Sequence, residues 1–385
     1  MKTSAVITIA LAAFVCVLGA REASRWLDHR PQASQLTVPH ELLAQNVDFQ
    51  PVTGGPADFR AAAKKVLPSV VSIDRYESVQ RWGLEDPTVE ETASGSGVIL
   101  SHDGTIVTNN HVVEGATEVR VRMPDHRTLI AEVIGTDRTS DLAVLKVKAD
   151  NLTPVEMGDS DKLEVGQWVL AVGNPLGYDG TVSAGVVSSK SRSLGTQASV
   201  LVNAIQTDAP INPGNSGGAL TDADGRLVGI NSAISSNTGT NIGIGFAIPV
   251  NRVKRVAREI IETGHAHNAY VGLFLSPRFD GFLATQSGRQ QLGEAVNASN
   301  VPSGGVLVPQ GGRITPVVAG SPAANAGIQS LDVILDIDGK PINDRLDYFE
   351  ALDGKRPGDK IVIKFWSRGS TKTATVTLTE EPIDS

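Results

Sequence analysis

The stretch Gly214-Asn215-Ser216-Gly217-Gly218 sets one serine among glycines, and His111 and Asp141 precede it in the order His, Asp, Ser. A serine hydroxyl is a weak nucleophile near neutral pH, so it needs a base to take its proton and a group to orient that base. It also needs backbone N–H groups directed at the oxyanion that forms. Glycines permit the tight turn that presents such donors. The chain therefore contains the parts of an acyl-transfer site.

Short apolar runs surround these residues. From about residue 70 to 249, runs rich in Val and Ile alternate with Gly, Asp and Asn turns, as in Gly97-Val98-Ile99-Leu100 and Leu170-Ala171-Val172. Many short strands at this spacing are typical of barrels or sandwiches. The 39 glycines and the low aromatic content of 4% also favour a mainly β architecture. We expect Lys190 to Ser199 and Ser232 to Asn241, rich in glycine and serine, to be loops beside the site.

A helix and a second module follow. Val253, Val256, Ile260 and Ile261 recur at helical spacing between residues 251 and 263, and Gly264 ends the pattern. A helix is also expected over residues 58–66, before the first strands. For the second module, from about Asn268, we predict strands near residues 270–275, 305–308, 333–337 and 361–366, and helices over 322–326 and 343–352.

The first 56 residues differ from the rest. Residues 3–20 carry no charge and follow Lys2, which indicates a secretory signal or a single membrane anchor helix within residues 1–20. Residues 21–56 are polar, contain several prolines and are typical of a linker. With either reading the folded body is exported, and an anchor would tether it to the inner membrane. The chain's one cysteine, Cys16, lies in this apolar run, so no intramolecular disulfide or cysteine-based metal site forms.

Length and charge narrow the class further. A chain of 385 residues predicts two or more domains. The net charge of −8 argues against a nucleic-acid binder, which usually carries a basic face. No His-Glu-x-x-His zinc motif and no phosphate-binding loop occur, and we predict no metal and no cofactor. Asp222-Ala223-Asp224-Gly225 fits a hairpin turn better than a calcium loop.

Each candidate catalytic residue also has an ordinary structural interpretation. His111 alone would be a surface histidine, Asp141 a turn aspartate, and the glycine-rich stretch a hairpin. Together, in this order and beside strands, they predict a triad in which Ser216 attacks, His111 acts as base and then acid, and Asp141 orients the imidazole. The predicted oxyanion hole consists of Gly214, Asn215 and Ser216.

Three blocks carry a family resemblance: Thr108-Asn109-Asn110-His111-Val112-Val113, Ser140-Asp141-Leu142-Ala143-Val144-Leu145, and Asn212-Pro213-Gly214-Asn215-Ser216-Gly217-Gly218. They resemble the catalytic blocks of the HtrA/Deg serine proteases. The resemblance implies a chymotrypsin-like double β-barrel over residues 57–264, followed by an α+β PDZ domain over residues 268–382. It further implies an envelope quality-control protease that uses no metal or cofactor and assembles as a homotrimer.

Two binding sites follow from this resemblance. In such a barrel the S1 pocket base comes from the segment before the nucleophile, where Pro210 and Ile211 provide no acid, so we expect small aliphatic P1 residues. If the Asp208 side chain points inward, it would instead place an acidic group at the bottom of the S1 pocket. In the second module, Tyr270-Val271-Gly272-Leu273 resembles the PDZ loop that captures C-terminal peptides.

The sequence thus predicts an exported serine endopeptidase that cleaves misfolded or regulatory proteins, with unfolded or membrane proteins as substrates. The alternative is a proteolytically silent PDZ scaffold or chaperone that senses unfolded proteins. Digestion of casein that is lost in Ser216→Ala distinguishes the two.

Overall fold

The computed structural model describes residues 58–79, 88–174, 180–195, 200–212, 214–234, 243–275 and 312–382. Contacts divide the chain into residues 1–57 and 58–385, and the second unit contains all of these ranges. The predicted signal or anchor, the linker and the predicted strand at 305–308 lie outside the described residues. Within the described ranges, no helix is both long and apolar enough to span a bilayer.

The first body is a closed barrel of six antiparallel strands. A short helix, α1 (Arg60–Val66), precedes it, and α2 (Asn110–Val113) lies between its third and fourth strands. The strands are β1 (Val70–Val79), β2 (Thr88–Ile99), β3 (Thr105–Thr108), β4 (Glu118–Arg122), β5 (Thr128–Asp137) and β6 (Leu142–Lys146). They pair in the order β1-β2-β3-β6-β5-β4 around a core of buried aliphatic side chains.

The second body is also a barrel. Its strands are β7 (Glu156–Met157), β8 (Trp168–Gly173), β9 (Thr181–Gly195), β10 (Val200–Thr207), β11 (Ala219–Asp222), β12 (Arg226–Ile234) and β13 (Gly245–Pro249). They pair in the order β11-β8-β9-β10-β13-β12-β7, and an additional β11–β12 pairing closes the ring. The mainly β, double-barrel prediction is therefore confirmed.

Two of the predicted loops were partly wrong. Residues 190–195 belong to β9 and residues 232–234 to β12, and the rest of those segments lies outside the described residues. Glycine and serine suggested turns, but pairing with β10 and β13 keeps these segments extended. The predicted hairpin at residues 222–225 is confirmed, because β11 and β12 pair across it and Gly225 has φ +77°.

Helix α3 (Val250–Thr263) follows the second barrel and packs on β5 and β6 of the first barrel as well as β12 and β13 of the second. Its buried side chains include Val253, Val256 and Ile260, as the spacing predicted, whereas Ile261 is 54% exposed. Gly264 ends the helix with φ +86° and donates its N–H to the Ile260 carbonyl (2.8 Å), a left-handed cap that glycine allows.

The last body contains a six-stranded sheet, a separate pair of strands and two helices. Its elements are β14 (Ala269–Tyr270), β15 (Leu273–Leu275), β16 (Gly312–Val317), α4 (Pro322–Asn325), β17 (Val333–Ile337), β18 (Lys340–Pro341), α5 (Arg345–Leu352), β19 (Lys360–Ser367), β20 (Ser370–Thr377) and β21 (Thr379–Glu380). The strand predicted over residues 270–275 is interrupted at Val271 and Gly272. Gly272 has φ +79°, a left-handed conformation that breaks an extended strand.

Candidate active site

His111 and Asp141 lie together at one end of the first barrel. His111 is on α2, directly after β3, and Asp141 ends the turn between β5 and β6. The His111 Nδ1 atom is 2.8 Å from Asp141 Oδ2 and 2.9 Å from Oδ1, and the His111 backbone N–H donates to Oδ1 at 3.1 Å. The Asp141 side chain is 3% exposed and that of His111 is 32% exposed. The carboxylate is therefore enclosed, while the imidazole reaches the surface.

The backbone at Asp141 is strained and held in place. Its φ of +55° is left-handed, which is uncommon for a residue other than glycine, although aspartate and asparagine tolerate it best. The Asp141 carbonyl accepts hydrogen bonds from Asn110 N–H (3.2 Å) and from Asn109 Nδ2 (3.0 Å). Such strain persists only where the surroundings fix the conformation, as these two bonds do here.

Ser232, on β12, connects Asp141 to Ser216 and was not predicted from the sequence. Its Oγ donates to Asp141 Oδ2 at 2.7 Å, and its carbonyl accepts from Ser216 Oγ at 3.1 Å. Ser216, Asp141 and His111 are therefore linked through a single intervening residue. All three predicted triad members are brought to the junction of the two barrels.

Ser96 fixes the turn that carries Ser216, and it was also missed. Ser96 lies on β2 of the first barrel, where its N–H donates to the Ser216 carbonyl (2.8 Å) and its Oγ to the Gly214 carbonyl (2.6 Å). The Asn174 N–H in turn donates to Ser96 Oγ (2.8 Å). Gly217, with φ +82°, lies so close to this strand that a Cβ would come within 2.1 Å of the Ser96 carbonyl. Glycine is required there for both conformation and space.

The turn presents two open N–H donors. Gly214 has φ +99°, and among the described residues neither its N–H nor that of Ser216 has a hydrogen-bond acceptor. Asn215, which the sequence analysis grouped with them, donates its N–H to the Asn212 carbonyl at 3.0 Å. Two unpaired backbone donors beside a nucleophile can bind a developing oxyanion.

The residues predicted for the S1 pocket differ in environment. Ile211 is 1% exposed and lies in the core of the second barrel, where a Cβ on Gly245 would come within 2.8 Å of its Cδ1 atom. Pro210 is exposed, and its carbonyl accepts from Ser183 Oγ at 2.6 Å. Asp208 accepts from the Val186 N–H at 2.6 Å, so its carboxylate is held against the backbone of β9.

The predicted peptide loop lies at the start of the last body. Tyr270 is in β14, and Gly272 approaches α4 so closely that a Cβ would come within 2.1 Å of Ser321 Cβ. The Gly272 carbonyl accepts from Ser321 Oγ (3.2 Å) and from Val318 N–H (2.9 Å). The N–H groups of Val271 and Gly272 have no acceptor among the described residues. The loop thus resembles the turn at residues 214–216 in offering two open backbone N–H donors.

A cavity of about 350 Å³ opens between this loop, β15 and α5. Tyr348, on α5, lines this cavity. Burial raises the pKa of its hydroxyl, so the phenol stays neutral. The cavity also reaches Arg138, Thr139 and Ser140, the residues immediately before Asp141.

These observations define a class: a trypsin-like serine peptidase barrel pair followed by a PDZ domain. Residues 95–230 match the family model described as a trypsin-like peptidase domain, and residues 291–378 match that of a PDZ domain. The chain belongs to the HtrA-type family of serine proteases.

Individual relatives support this assignment. A probable periplasmic serine endoprotease, DegP-like, from Pseudomonas fulva is 41% identical over 77% of this chain, which spans 57% of that relative. A protein of the same description from Chlamydia pneumoniae is 35% identical over 88% of this chain and 72% of its own length. The solved structure of the HtrA-type protease AlgW with a decapeptide is 33% identical, has a TM-score of 0.65, and is matched over 85% of this chain and 99% of its own. The chain thus spans about three fifths of the length of several curated relatives.

Proposed function

We propose that the protein is a serine endopeptidase in which Ser216 is the nucleophile, His111 the general base and Asp141 the residue that orients it. The observation that carries the proposal is the buried Asp141 carboxylate, which contacts His111 Nδ1 and Ser232 Oγ while the Ser232 carbonyl receives the Ser216 hydroxyl. Because the ionised aspartate accepts a hydrogen bond from Nδ1–H, the neutral imidazole keeps its lone pair on Nε2.

The first chemical step requires the Ser216 hydroxyl to change its hydrogen-bond acceptor. Ser216 Oγ donates to the Ser232 carbonyl, and it must donate to His111 Nε2 before it attacks. As Oγ bonds to the scissile carbonyl carbon, its proton passes to Nε2 and the carbonyl electron pair moves onto oxygen. The imidazolium then protonates the leaving amine, the C–N bond breaks, and an acyl-enzyme remains. Water, activated by the same imidazole, hydrolyses the ester and restores Ser216.

The N–H groups of Gly214 and Ser216 are proposed to form the oxyanion hole. Both are open donors, and Ser96 holds the intervening peptide by binding the Gly214 carbonyl. One such donor contributes about 2.7–4 kcal/mol to transition-state stabilisation in serine proteases. Asn215 spaces the two donors rather than contributing its own N–H.

We further propose a preference for small aliphatic P1 side chains. Pro210 and Ile211 supply no charge, and the Asp208 carboxylate is engaged by the Val186 N–H. A Lys or Arg at P1 would therefore lose its hydration without gaining an acidic partner. Preferred cleavage after Arg in a peptide library would contradict this assignment.

The PDZ groove is proposed to bind C-terminal peptides. The free carboxylate would accept from the Val271 and Gly272 N–H groups, the strand of the peptide would pair with β15, and its last side chain would enter the cavity beside α5. Tyr270 and Leu273 flank the loop. A peptide bound here would lie next to residues 138–140, which lead to Asp141.

Location and assembly are proposed from the family. Relatives are named periplasmic endoproteases, which supports an exported, cell-envelope protein. An anchor within residues 1–20 would tether it to the inner membrane, and the family resemblance favours a homotrimer. Unfolded proteins or regulatory membrane proteins are the proposed substrates in a quality-control or stress response.

The test is digestion of casein together with labelling by a fluorophosphonate, which reacts with activated serines. Wild type should digest casein and take up the label, and Ser216→Ala should do neither while unfolding at nearly the same temperature, because the lost Oγ bond contributes only about 1 kcal/mol. A folded wild-type protein that neither digests casein nor reacts would instead favour the silent scaffold or chaperone.

A further inference from the structure

A cluster of two imidazoles and one carboxylate lies away from the catalytic site, where the helix that ends the double barrel meets the last strand. His265 and His267 follow the helix stop at Gly264, and Glu380 is in β21, which pairs with β14. Glu380 Oε1 is 2.9 Å from His265 Nε2 and 2.5 Å from His267 Nδ1. All three ligand atoms lie within 4.8 Å of one another.

Thr263 contacts the outer ring nitrogens of both histidines. Its carbonyl lies 3.2 Å from His265 Nδ1 and accepts from that nitrogen when it carries hydrogen. Its hydroxyl gives its single hydrogen to a backbone carbonyl, at 2.7 Å from Glu259 O or 3.0 Å from His265 O. Thr263 Oγ1 lies 3.2 Å from His267 Nε2 and accepts from it when that nitrogen carries hydrogen.

His265 Nε2 and His267 Nδ1 both contact Glu380 Oε1, which can only accept, so each of these contacts contains a hydrogen when no metal is bound. When those nitrogens lose their hydrogens, two imidazoles and a carboxylate offer three lone pairs to one point, where a divalent cation replaces the hydrogens. We infer that His265, His267 and Glu380 form a structural site for a divalent transition-metal ion of the zinc class.

The donor set identifies the type of metal. Imidazole nitrogens suit Zn²⁺ and its neighbours, whereas Mg²⁺ and Ca²⁺ prefer oxygen throughout. Engagement of the outer ring nitrogens by a backbone carbonyl and a hydroxyl is the usual support for metal-bound histidines. Tetrahedral zinc needs about 3.4 Å between ligand atoms, so the Glu380 carboxylate must withdraw by about half an ångström to about one. The side chains are 29%, 34% and 44% exposed, which leaves the fourth position open to water.

The site is held together by contacts that do not depend on a metal. The His267 N–H donates to Glu259 Oε2 (3.0 Å), and Arg356 Nη1 contacts both Glu259 Oε1 (2.7 Å) and the His267 carbonyl (3.2 Å). Ala269 pairs with Glu380 across the β14–β21 ladder. A bound ion would therefore cross-link the end of α3 to the last strand, 115 residues away. The three ligands form no continuous motif in the sequence, so only the fold brings them together.

The experiment is a zinc titration of the untagged full-length protein, by calorimetry and by competition with a chromophoric chelator. Wild type should bind one Zn²⁺ at this site and should not bind Mg²⁺ there. The double variant His265→Asn with His267→Asn should not bind this zinc ion. Glu380→Gln should weaken zinc binding at least about tenfold. Thr263→Val, which removes only a contact to the outer ring nitrogen of His267, should weaken it by about tenfold.

Two variants act as matched controls. His126→Asn replaces another histidine in a surface turn, and His111→Ala removes a competing imidazole at the catalytic site. Both should still bind the zinc ion that the double variant does not bind. Substituted Co²⁺ should give the intense visible absorption of a tetrahedral site in wild type and not in the double variant. Absence of zinc binding by wild type would overturn the proposal, as would equal affinity in wild type and a folded Glu380→Gln variant.

Discussion

On the first barrel, Asp141 receives hydrogen bonds at both carboxylate oxygens and at its backbone carbonyl, and His111 is held against it. On the second barrel, the N–H groups of Gly214 and Ser216 have no acceptor in the described parts of the chain, and the Ser216 hydroxyl binds a backbone carbonyl. All the oxygens of Asp141 are therefore engaged in the first half of the site, while the second half keeps two N–H donors open.

This difference has a consequence for catalysis. The base half is already arranged as it must be when it accepts a proton, so substrate needs to reorganise only the serine hydroxyl and the groups around it. Open donors are costly in a folded protein, and they persist where a ligand or transition state will bind them. The PDZ loop shows the same feature at Val271 and Gly272. Substitutions that act on one half at a time therefore test whether the two halves work independently.

Asp141→Asn should have the largest effect. Asparagine tolerates the left-handed conformation at φ +55°, so the turn should remain. One of the two oxygens that accept a hydrogen bond from His111 is then replaced by an amide NH2 group. The imidazole then adopts the wrong tautomer, and we expect kcat to fall by about 10⁴-fold with KM little changed. Steady-state hydrolysis of a peptide substrate measures this.

A matched control for that variant is Asp222→Asn. Asp222 is also buried and accepts from Asp224 N–H, Arg226 N–H and Arg226 Nε, but it lies in the β11–β12 hairpin. Its loss should lower the free energy of unfolding by about 1–3 kcal/mol and leave kcat within a few-fold. If both variants lost activity equally, instability and not the tautomer would explain the result.

The three proposed triad residues could be predicted from the sequence, but the residues that position them could not. His111, Asp141 and Ser216 carry chemistry that few residue types can perform, and they lie in recognisable blocks. Ser96 and Ser232 are ordinary hydroxyls whose roles arise only when strand pairing brings β2 and β12 beside the nucleophile turn. Glycine and serine likewise suggested a loop at residues 232–234, where pairing with β13 makes a strand. Long-range pairing, which local pattern does not encode, accounts for both failures.

Ser96→Ala and Ser232→Ala each test one half of the site, and each should lower activity less than Asp141→Asn does. Ser96→Ala frees the Gly214 carbonyl, so the oxyanion donors lose their alignment and kcat should fall about 10–100-fold. Ser232→Ala removes a donor to Asp141 but keeps the carbonyl that binds Ser216, and kcat/KM should fall about tenfold. The pH profile of kcat/KM should change shape only in Ser232→Ala, because that profile reports the base.

Ser160→Ala serves as the control for both serine variants. Its hydroxyl is buried and accepts from Asn251 N–H at 3.2 Å, away from the site, so activity should stay within about twofold. If Ser96→Ala shifted the pH profile as Ser232→Ala does, the division of the site into separate base and nucleophile halves would be wrong.

The smallest effect is expected at the PDZ loop, from Gly272→Ala compared with Gly339→Ala. Both glycines have positive φ, +79° and +82°, so each substitution should cost about 1 kcal/mol of stability through the backbone. Only at Gly272 does a Cβ collide, at 2.1 Å from Ser321 Cβ, whereas nothing lies within 4 Å of it at Gly339. The collision should displace the open N–H donors and raise the Kd of a labelled C-terminal peptide at least about tenfold, measured by fluorescence anisotropy. Gly339→Ala should bind as wild type does. Equal Kd values for the two variants would show that the carboxylate does not use the Val271 and Gly272 N–H groups, and the likeness between this loop and the nucleophile turn would then be one of backbone shape alone.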